Sequence, residues 1–215
     1  MAEEKQRECD FGMEIYLIRH GETTANADNK KVYKYFCGQY DVTLTEKGIQ
    51  SAIKLGNELS EIVFNKVYVS DLARTKQTAE YIFSGRVPFV LTNKLRERSL
   101  GEFEGKNIND MKEMDCYSHY FDNSEYKNFR HSFTVKTPGG ENYRDVIDRV
   151  TNFFKEEFEF IQDAKVAIVS HYVTIRCILL WLGIISEEDV FNYRVDNCDP
   201  IVISLNELRL AGMSG

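Results

Sequence analysis

Short apolar runs alternate along this chain with segments whose apolar residues recur at helical spacing, and this alternation constrains the fold most. The clearest run is residues 165–169 (KVAIV), whose continuous apolar character predicts a strand buried on both faces of a parallel sheet. Residues 141–161, just before it, repeat apolar side chains at helical spacing and predict a long amphipathic helix. The pattern predicts an α/β fold, a three-layer sandwich whose mostly parallel central sheet is flanked by helices.

Further strands and helices fit the same architecture. The other predicted strands are residues 14–18, 66–69, 87–91 and 201–205. Pro88 lacks a backbone donor, so the strand that contains it is predicted to lie at an edge of the sheet.

Three more helices are predicted between these strands. One opens at Glu46 with Thr45 as its N-cap, and another opens at Ser70 and Asp71 with Arg74 in its first turn. The third covers residues 173–182. The buried side of the first is predicted to carry Ile49, Ala52, Ile53, Leu55 and Leu59.

Residues 105–138 have a different sequence pattern, in which aromatic residues and methionines are scattered among polar ones. This predicts a small helical insertion packed over one end of the sheet. Ordinary packing is the simpler interpretation, and a lid that shapes a substrate pocket is the alternative. With 215 residues, 43% of them hydrophobic, and no Pro/Gly/Ser-rich linker, the chain is predicted to form one domain over residues 1–215.

Charge and cysteine content narrow the classes of partner and compartment. A formal net charge of −7 argues against a large basic surface for nucleic acid, although clustered arginines could still bind a small anion. The five cysteines are an odd number without a CxxC pair, which is typical of reduced thiols in a cytoplasmic protein. The most apolar stretch, residues 175–185, is interrupted by Arg176 and is far shorter than the roughly 20 residues that span a bilayer. No secretory signal and no membrane partner are expected.

Three predicted strands end in reactive or cationic residues. Arg19 and His20 follow the first, Ser70 to Arg74 follow the second, and His171 follows KVAIV. In open α/β sheets, sites form beyond the carboxyl ends of the strands, so these side chains are expected to meet. Taken singly, each has a plain explanation as a hydrogen-bonded core histidine or a solvated arginine. The pattern alone therefore leaves both interpretations open.

The exact amino-acid sequences of these segments give more information about function. Six carry a recognisable pattern, in this order: 18–26 (IRHGETTAN), 38–48 (GQYDVTLTEKG), 70–79 (SDLARTKQTA), 95–105 (LRERSLGEFEG), 138–141 (PGGE) and 169–171 (VSH). Together they resemble, in the family's own order across residues 14–183, the histidine phosphatase (phosphoglycerate mutase-like) superfamily. The fourth segment is similar to the fructose-2,6-bisphosphatase-like and α-ribazole phosphatase-like branches. The resemblance implies an active site beneath the insertion.

The resemblance also implies roles for individual residues. His20 is expected to attack phosphorus and form a phosphohistidine that water later hydrolyses. Arg19 and Arg74 are expected to hold the phosphoryl oxygens with forked donors, and His171 to donate a further hydrogen bond. Glu97 is the candidate general acid for the leaving alcohol, against the alternative of an exposed partner for a neighbouring arginine.

Four more residues are assigned to phosphate or substrate binding: Asn26, Thr23, Gln39 and Tyr172. Tyr172 departs from the family, which usually has glycine directly after its second histidine. Its ring is expected either to line the substrate site or to crowd the phosphate. His119 and His131 lie outside every motif and are predicted to be structural or at the surface.

The implied activity is hydrolysis of small phosphomonoesters, such as sugar phosphates or nucleoside monophosphates, by a cytoplasmic enzyme that needs no cofactor. His20, His171 and Glu97 are also common metal ligands, but two arginines beside them would repel a divalent cation, so no metal is expected. One alternative is a phosphoglycerate mutase, which returns the phosphoryl group to a second hydroxyl. Another, suggested by Tyr172, is a catalytically weak phosphate-binding regulatory protein. A homodimer remains open.

Overall fold

A computed structural model describes residues 12–29, 34–126, 128–158 and 164–205, and a five-stranded sheet of order β3-β2-β4-β1-β5 organises them. The strands are β1 (Met13–Arg19), β2 (Lys66–Ser70), β3 (Val90–Thr92), β4 (Lys165–Ser170) and β5 (Ile201–Leu205). β1 to β4 run parallel, and β5 pairs antiparallel with β1. The predicted α/β fold with a mostly parallel sheet is confirmed.

Seven α-helices lie among the described residues. They are α1 (Thr24–Asn29), α2 (Glu46–Glu58), α3 (Ala73–Phe83), α4 (Ile108–Glu113), α5 (His119–Asp122), α6 (Tyr143–Phe158) and α7 (Tyr172–Trp181). None of the helices described is long and apolar enough to cross a bilayer.

Alternate side chains of the central strands enter two separate cores, one on each face of the sheet. On β1, Ile15 and Leu17 pack with α6 and α7, whereas Tyr16 and Ile18 pack with α2 and α3. β4 divides its residues in the same way. Since both faces of the sheet are covered, its central strands can be apolar throughout, as KVAIV is. The three-layer arrangement is therefore confirmed.

The helix caps and boundaries differ from the predictions in small ways. Thr45 is the N-cap of α2, because its Oγ1 accepts from the Gly48 N–H at 3.1 Å. α3 begins at Ala73 and not at Ser70, because Ser70 is still paired in the sheet, opposite Thr92 of β3. Ile53 is 37% exposed, since one step from Ala52 turns about 100° away from the buried side.

The remaining boundaries shift by a few residues. β3 is an edge strand as predicted, but only Val90–Thr92 pair with β2, later than the predicted start at 87. α6 starts two residues after Glu141, and the predicted contribution of Ile161 lies outside the described residues. α7 starts at Tyr172, directly after His171.

The insertion has a small aromatic core of its own. It contains α4, α5 and a 3-10 turn at Phe129–His131. Its buried side chains pack against Phe36, Leu100 and Phe103, which border the segment that carries Glu97. His119 stacks on the ring of Tyr120 inside the insertion, and His131 meets Phe191 edge-on. The predicted helical insertion is confirmed, whereas its action as a lid stays a prediction.

Candidate active site

The parallel pairing of β1 and β4 brings the two histidines together. Arg19 stands opposite Ser170 at the carboxyl ends of these strands, so His20 and His171 leave the sheet side by side. Their ring centroids are 5.2 Å apart. The convergence expected from the strand ends is therefore observed.

The local geometry of His20 leaves one ring nitrogen available for chemistry. The side chain is 4% exposed, and its Nδ1 lies 2.8 Å from the carbonyl oxygen of Gly21. Because a carbonyl can only accept, Nδ1 carries the hydrogen and Nε2 keeps its lone pair. Burial, and then the charges of Arg74 and Arg19, hold the pKa of His20 well below its usual range. The lowered pKa favours the neutral imidazole, with the lone pair at Nε2.

Two glycines allow α2 to pack directly on the His20 segment. A Cβ on Gly48 would lie 2.1 Å from the carbonyl oxygen of Glu22. A Cβ on Gly21 would lie 2.7 Å from the carbonyl oxygen of Gly48. Since any larger residue would push the backbones apart, both glycines are needed for the turn after β1 to keep its position.

Arg74, from the first turn of α3, is 2% exposed and is held by three hydrogen bonds. Its Nη1 donates to the Tyr40 carbonyl at 3.0 Å, its Nη2 to the Gly38 carbonyl at 2.8 Å, and its Nε to His171 Nδ1 at 3.2 Å. A guanidinium has five N–H groups, so two remain for an anion. Arg74 therefore joins the loop at Gly38 to His171 and still offers donors to phosphate.

His171 uses both ring nitrogens within the protein. Its Nδ1 accepts from Arg74, so the hydrogen is on Nε2, which donates to Ser70 Oγ at 2.8 Å. Burial and the charge of Arg74 lower the pKa of His171 well below its usual range. For His171 to donate a hydrogen bond to a phosphoryl oxygen, as the resemblance implies, its Nε2–H would have to break the hydrogen bond to Ser70 Oγ. In this structure its contacts orient Arg74.

Arg19 is the second cation at the site. Its Nη1 donates to the Val195 carbonyl at 2.8 Å, and its guanidinium carbon lies 4.8 Å from the centre of the Tyr172 ring. Its Nε is buried and has no hydrogen-bond partner among the described residues. A buried donor without a partner costs free energy, so this N–H would gain a hydrogen bond if an anion came within its reach.

Glu97 lies at the N terminus of α7. Its Oε1 accepts from the backbone N–H of Arg98 at 2.8 Å and from that of Val173 at 3.2 Å. Burial lowers the pKa of the Arg19 guanidinium, and the charge of Glu97 opposes this shift by raising it. Gln39 Nε2 donates to the Glu97 backbone carbonyl at 3.0 Å. Glu97 is therefore held close to Arg19, and among the described residues it forms no salt bridge with Arg96 or Arg98, which was the alternative to its expected role as the general acid.

Thr23 and Asn26 bond to each other at the start of α1. Asn26 Oδ1 accepts from the Thr23 N–H at 3.1 Å, and Thr23 Oγ1 accepts from the Asn26 N–H at 3.2 Å. Because this exchange occupies the Thr23 hydroxyl as an acceptor, its observed contact is structural. Phosphate binding by Asn26 and Thr23 stays a prediction.

Two side chains that contact the His20 and His171 segments have no role assigned to them from the sequence. Ser70, predicted only as a helix start, bonds to His171. Asn197 Nδ2 donates to the His20 carbonyl at 2.6 Å, and the Cys198 N–H donates to the Arg19 carbonyl at 3.0 Å. The family pattern marks Ser70 as the first residue of the segment 70–79, but no motif includes Asn197.

The neutral histidines make folding stability depend on pH. Because the folded pKa of both is lowered, the unfolded chain binds more protons below the ordinary value of about 6.5. The free energy of unfolding should thus fall as pH drops from 6.5 to 5.5, by up to about 1 kcal/mol for each histidine. Urea unfolding at the two pH values measures this slope. His20→Gln should make it shallower, and an equal slope in the variant would contradict the argument.

Among the described residues, no group of three or more His, Cys, Asp or Glu side chains could hold a metal ion.

Two curated proteins that are similar to this chain are named as phosphoglycerate mutases. The phosphoglycerate mutase of Parvibaculum lavamentivorans, named as 2,3-bisphosphoglycerate-dependent, is 27% identical over 201 residues, 90% of each chain. A protein of Escherichia coli O1:K1 / APEC named "Probable phosphoglycerate mutase GpmB" is 30% identical over 173 residues, 78% of this chain and 73% of its own.

A solved structure has a similar fold. The crystal structure of the α-ribazole phosphatase from Shigella flexneri is similar with a TM-score of 0.74 and 28% identity, covering 91% of this chain and 92% of that one. The family model of the histidine phosphatase superfamily (branch 1) matches residues 15–211. The match spans β1 to β5 and every residue of the site. The chain belongs to the histidine phosphatase superfamily (branch 1).

Proposed function

We propose that this protein hydrolyses phosphomonoesters of small metabolites, of the sugar phosphate or nucleoside monophosphate type, without a metal or cofactor. The observation that carries the proposal is the buried His20, whose Nδ1 contacts the Gly21 carbonyl and whose pKa is held low by burial and by the charges of Arg74 and Arg19. Arginines can stabilise the spread negative charge of a phosphoryl group during transfer. A nucleophile surrounded by cations is what phosphoryl transfer requires.

The reaction follows in two steps. The Nε2 lone pair of His20 forms a bond to phosphorus while the ester P–O bond breaks, and Glu97 gives a proton to the departing alkoxide. Water then attacks the phosphohistidine, Glu97 takes a proton from that water, and the P–N bond breaks to release inorganic phosphate. Arg19 and Arg74 hold the equatorial oxygens through both steps.

A phosphoglycerate mutase is the second candidate, because two of the similar proteins carry that name. A mutase has to keep water away from its phosphohistidine until the second hydroxyl attacks. The described residues of the insertion form two short α-helices, Ile108–Glu113 and His119–Asp122. So small a cover favours attack by water, which is why hydrolysis is the first candidate.

The two candidates differ in their products. Purified protein is supplied with 3-phosphoglycerate and, separately, with a panel of sugar phosphates and nucleoside monophosphates. A phosphatase releases inorganic phosphate, whereas a mutase forms 2-phosphoglycerate, with 2,3-bisphosphoglycerate added as primer. We expect phosphate release that EDTA leaves unchanged. Conversion to 2-phosphoglycerate without phosphate release, or loss of the rate on chelation, would contradict the proposal.

A third possible result is that the protein binds phosphate but hydrolyses no ester. If the protein released no phosphate from any ester but bound orthovanadate, the site would act as a phosphate sensor. Such a protein would match the regulatory alternative suggested by Tyr172, and the hydrolytic proposal would be wrong.

The general acid can be tested by changing the leaving group. Glu97→Gln removes the proton donor but keeps the size of the side chain, so an alkyl phosphate should slow by a factor of about 10² to 10⁴. 4-Nitrophenyl phosphate, whose leaving group needs little protonation, should slow much less in the first step. The measurement is kcat/KM for both esters, with Glu102→Gln on the insertion side as the control. Equal slowing of both esters would contradict the role of Glu97.

A further inference from the structure

Arg19 is held by few contacts for a cation that has to bind phosphate. Its side chain makes one hydrogen bond to a described residue, from Nη1 to the Val195 carbonyl, and its buried Nε has none. No carboxylate among the described residues forms a salt bridge with it. Its other close contact is the face of the Tyr172 ring, 4.8 Å from the guanidinium carbon.

The Tyr172 ring is itself held in place by contacts with Arg176. The guanidinium carbon of Arg176, one turn along α7, lies 4.0 Å from the ring centre. Arg176 Nη2 donates to the Tyr172 hydroxyl, which donates in turn to the Tyr193 carbonyl at 3.4 Å. The ring can therefore neither flip away from α7 nor slide along it without losing hydrogen bonds.

Arg176 is anchored in the core. It is buried, its Nε donates to the Tyr193 carbonyl at 2.7 Å, and its Nη1 donates to the Tyr143 hydroxyl at 3.4 Å. Tyr143, at the start of α6, is fully buried. A continuous set of contacts thus leads from the core between α6 and α7 to the guanidinium of Arg19.

We propose that Tyr172 is a positioning residue for Arg19, and that it fixes the guanidinium on the face of its ring in the orientation that binds phosphate. The inference rests on the proposed function, since it assumes that Arg19 binds the phosphoryl group. An aromatic face attracts a desolvated cation without taking any of its N–H groups, which a carboxylate would occupy. The N–H groups of Arg19 that do not bond to the Val195 carbonyl can therefore bind phosphoryl oxygens. The side chain that breaks the family's glycine pattern supplies this face.

The competing account is that the ring merely crowds the phosphate. The two accounts predict opposite results when the ring is removed. If Tyr172 positions Arg19, Tyr172→Leu and Tyr172→Gly should each weaken phosphate binding about tenfold, the size expected for a desolvated cation–π contact. If the ring crowds the site, Tyr172→Gly should bind phosphate more tightly and turn over faster.

The experiment measures the dissociation constants of inorganic phosphate and orthovanadate by calorimetry, so it does not depend on turnover. Tyr172→Phe keeps the ring and loses only the hydroxyl contacts with Arg176 and the Tyr193 carbonyl, so it should bind phosphate within about threefold of the wild type. A thermal unfolding midpoint for each variant shows whether it is folded. Should the leucine variant not fold, the glycine variant makes the same test.

A double-mutant cycle with Arg19 decides the question. In an Arg19→Gln background, which removes the cation that the ring attracts, Tyr172→Leu should cost less than twofold in phosphate affinity. A tenfold loss in both backgrounds would overturn the inference, because the ring would then act independently of Arg19. Tighter binding by Tyr172→Gly would overturn it as well. Turnover of the wild type on the ester panel is scored separately, so failure of the proposed function is distinguishable from failure of this inference.

Discussion

Replacing His20 by glutamine should lower kcat on every phosphomonoester by a factor on the order of 10⁴ or more, because the covalent route is lost completely. Glutamine keeps much of the volume of the buried imidazole and can hydrogen-bond with the Gly21 carbonyl that His20 contacts. It has no lone-pair nitrogen basic enough to attack phosphorus. Orthovanadate should still bind to the variant, since Arg19 and Arg74 are unchanged.

Two measurements check this result. Steady-state hydrolysis gives kcat, and brief mixing with a ³²P-labelled substrate followed by an alkaline quench traps the acid-labile phosphohistidine of the wild type. The label should be absent from His20→Gln. His119→Gln is the matched control, because His119 packs on aromatic rings of the insertion and lies outside the site. Label or turnover near the wild-type level in His20→Gln would exclude this nucleophile.

Arg74→Lys is expected to damage both activity and stability. Lysine cannot reproduce the fork that bonds the Gly38 carbonyl, the Tyr40 carbonyl and His171 while also presenting donors to phosphate. We expect kcat/KM to fall by about 10³ through the lost charge stabilisation. The free energy of unfolding should fall by about 3 kcal/mol, because buried acceptors are left without partners.

Arg86→Lys separates these two effects. Arg86 also donates to several backbone carbonyls, including those of Gly56, Ser60 and Phe83, but it lies at the far ends of α2 and α3. Its replacement should lower stability while leaving kcat/KM of the folded protein unchanged. Urea unfolding and initial rates are measured for both variants. An Arg74→Lys variant with wild-type kcat/KM would remove Arg74 from the catalytic account.

The convergence of these side chains could be predicted from the sequence because it follows from simple geometry. Parallel strands end at one edge of a sheet, so Arg19, His20 and His171 had to meet once the strands were recognised. Helix starts were less accurate. Ser70 was assigned to a helix because small polar residues favour caps, whereas its pairing with Thr92 keeps it in the sheet.

Contacts between segments distant in the chain could not be predicted. Asn197 bonds to the His20 carbonyl across a separation of 177 residues, and no periodicity in either segment signals such a pairing. The stacking of Arg19 on Tyr172 depends equally on where α7 places one side chain. Sequence analysis marked Tyr172 as an exception to the family pattern but left its effect open.

The separate aromatic core of the insertion has a consequence for how such a protein can diversify. Its side chains pack mainly among themselves and against Phe36, Leu100 and Phe103, whereas His20 stands on a strand supported by two other cores. Amino-acid changes in the insertion are therefore expected to disturb the strand that carries His20 less than changes in those two cores. Under the proposed function, substrate preference is expected to vary among descendants of this gene more readily than the position of His20.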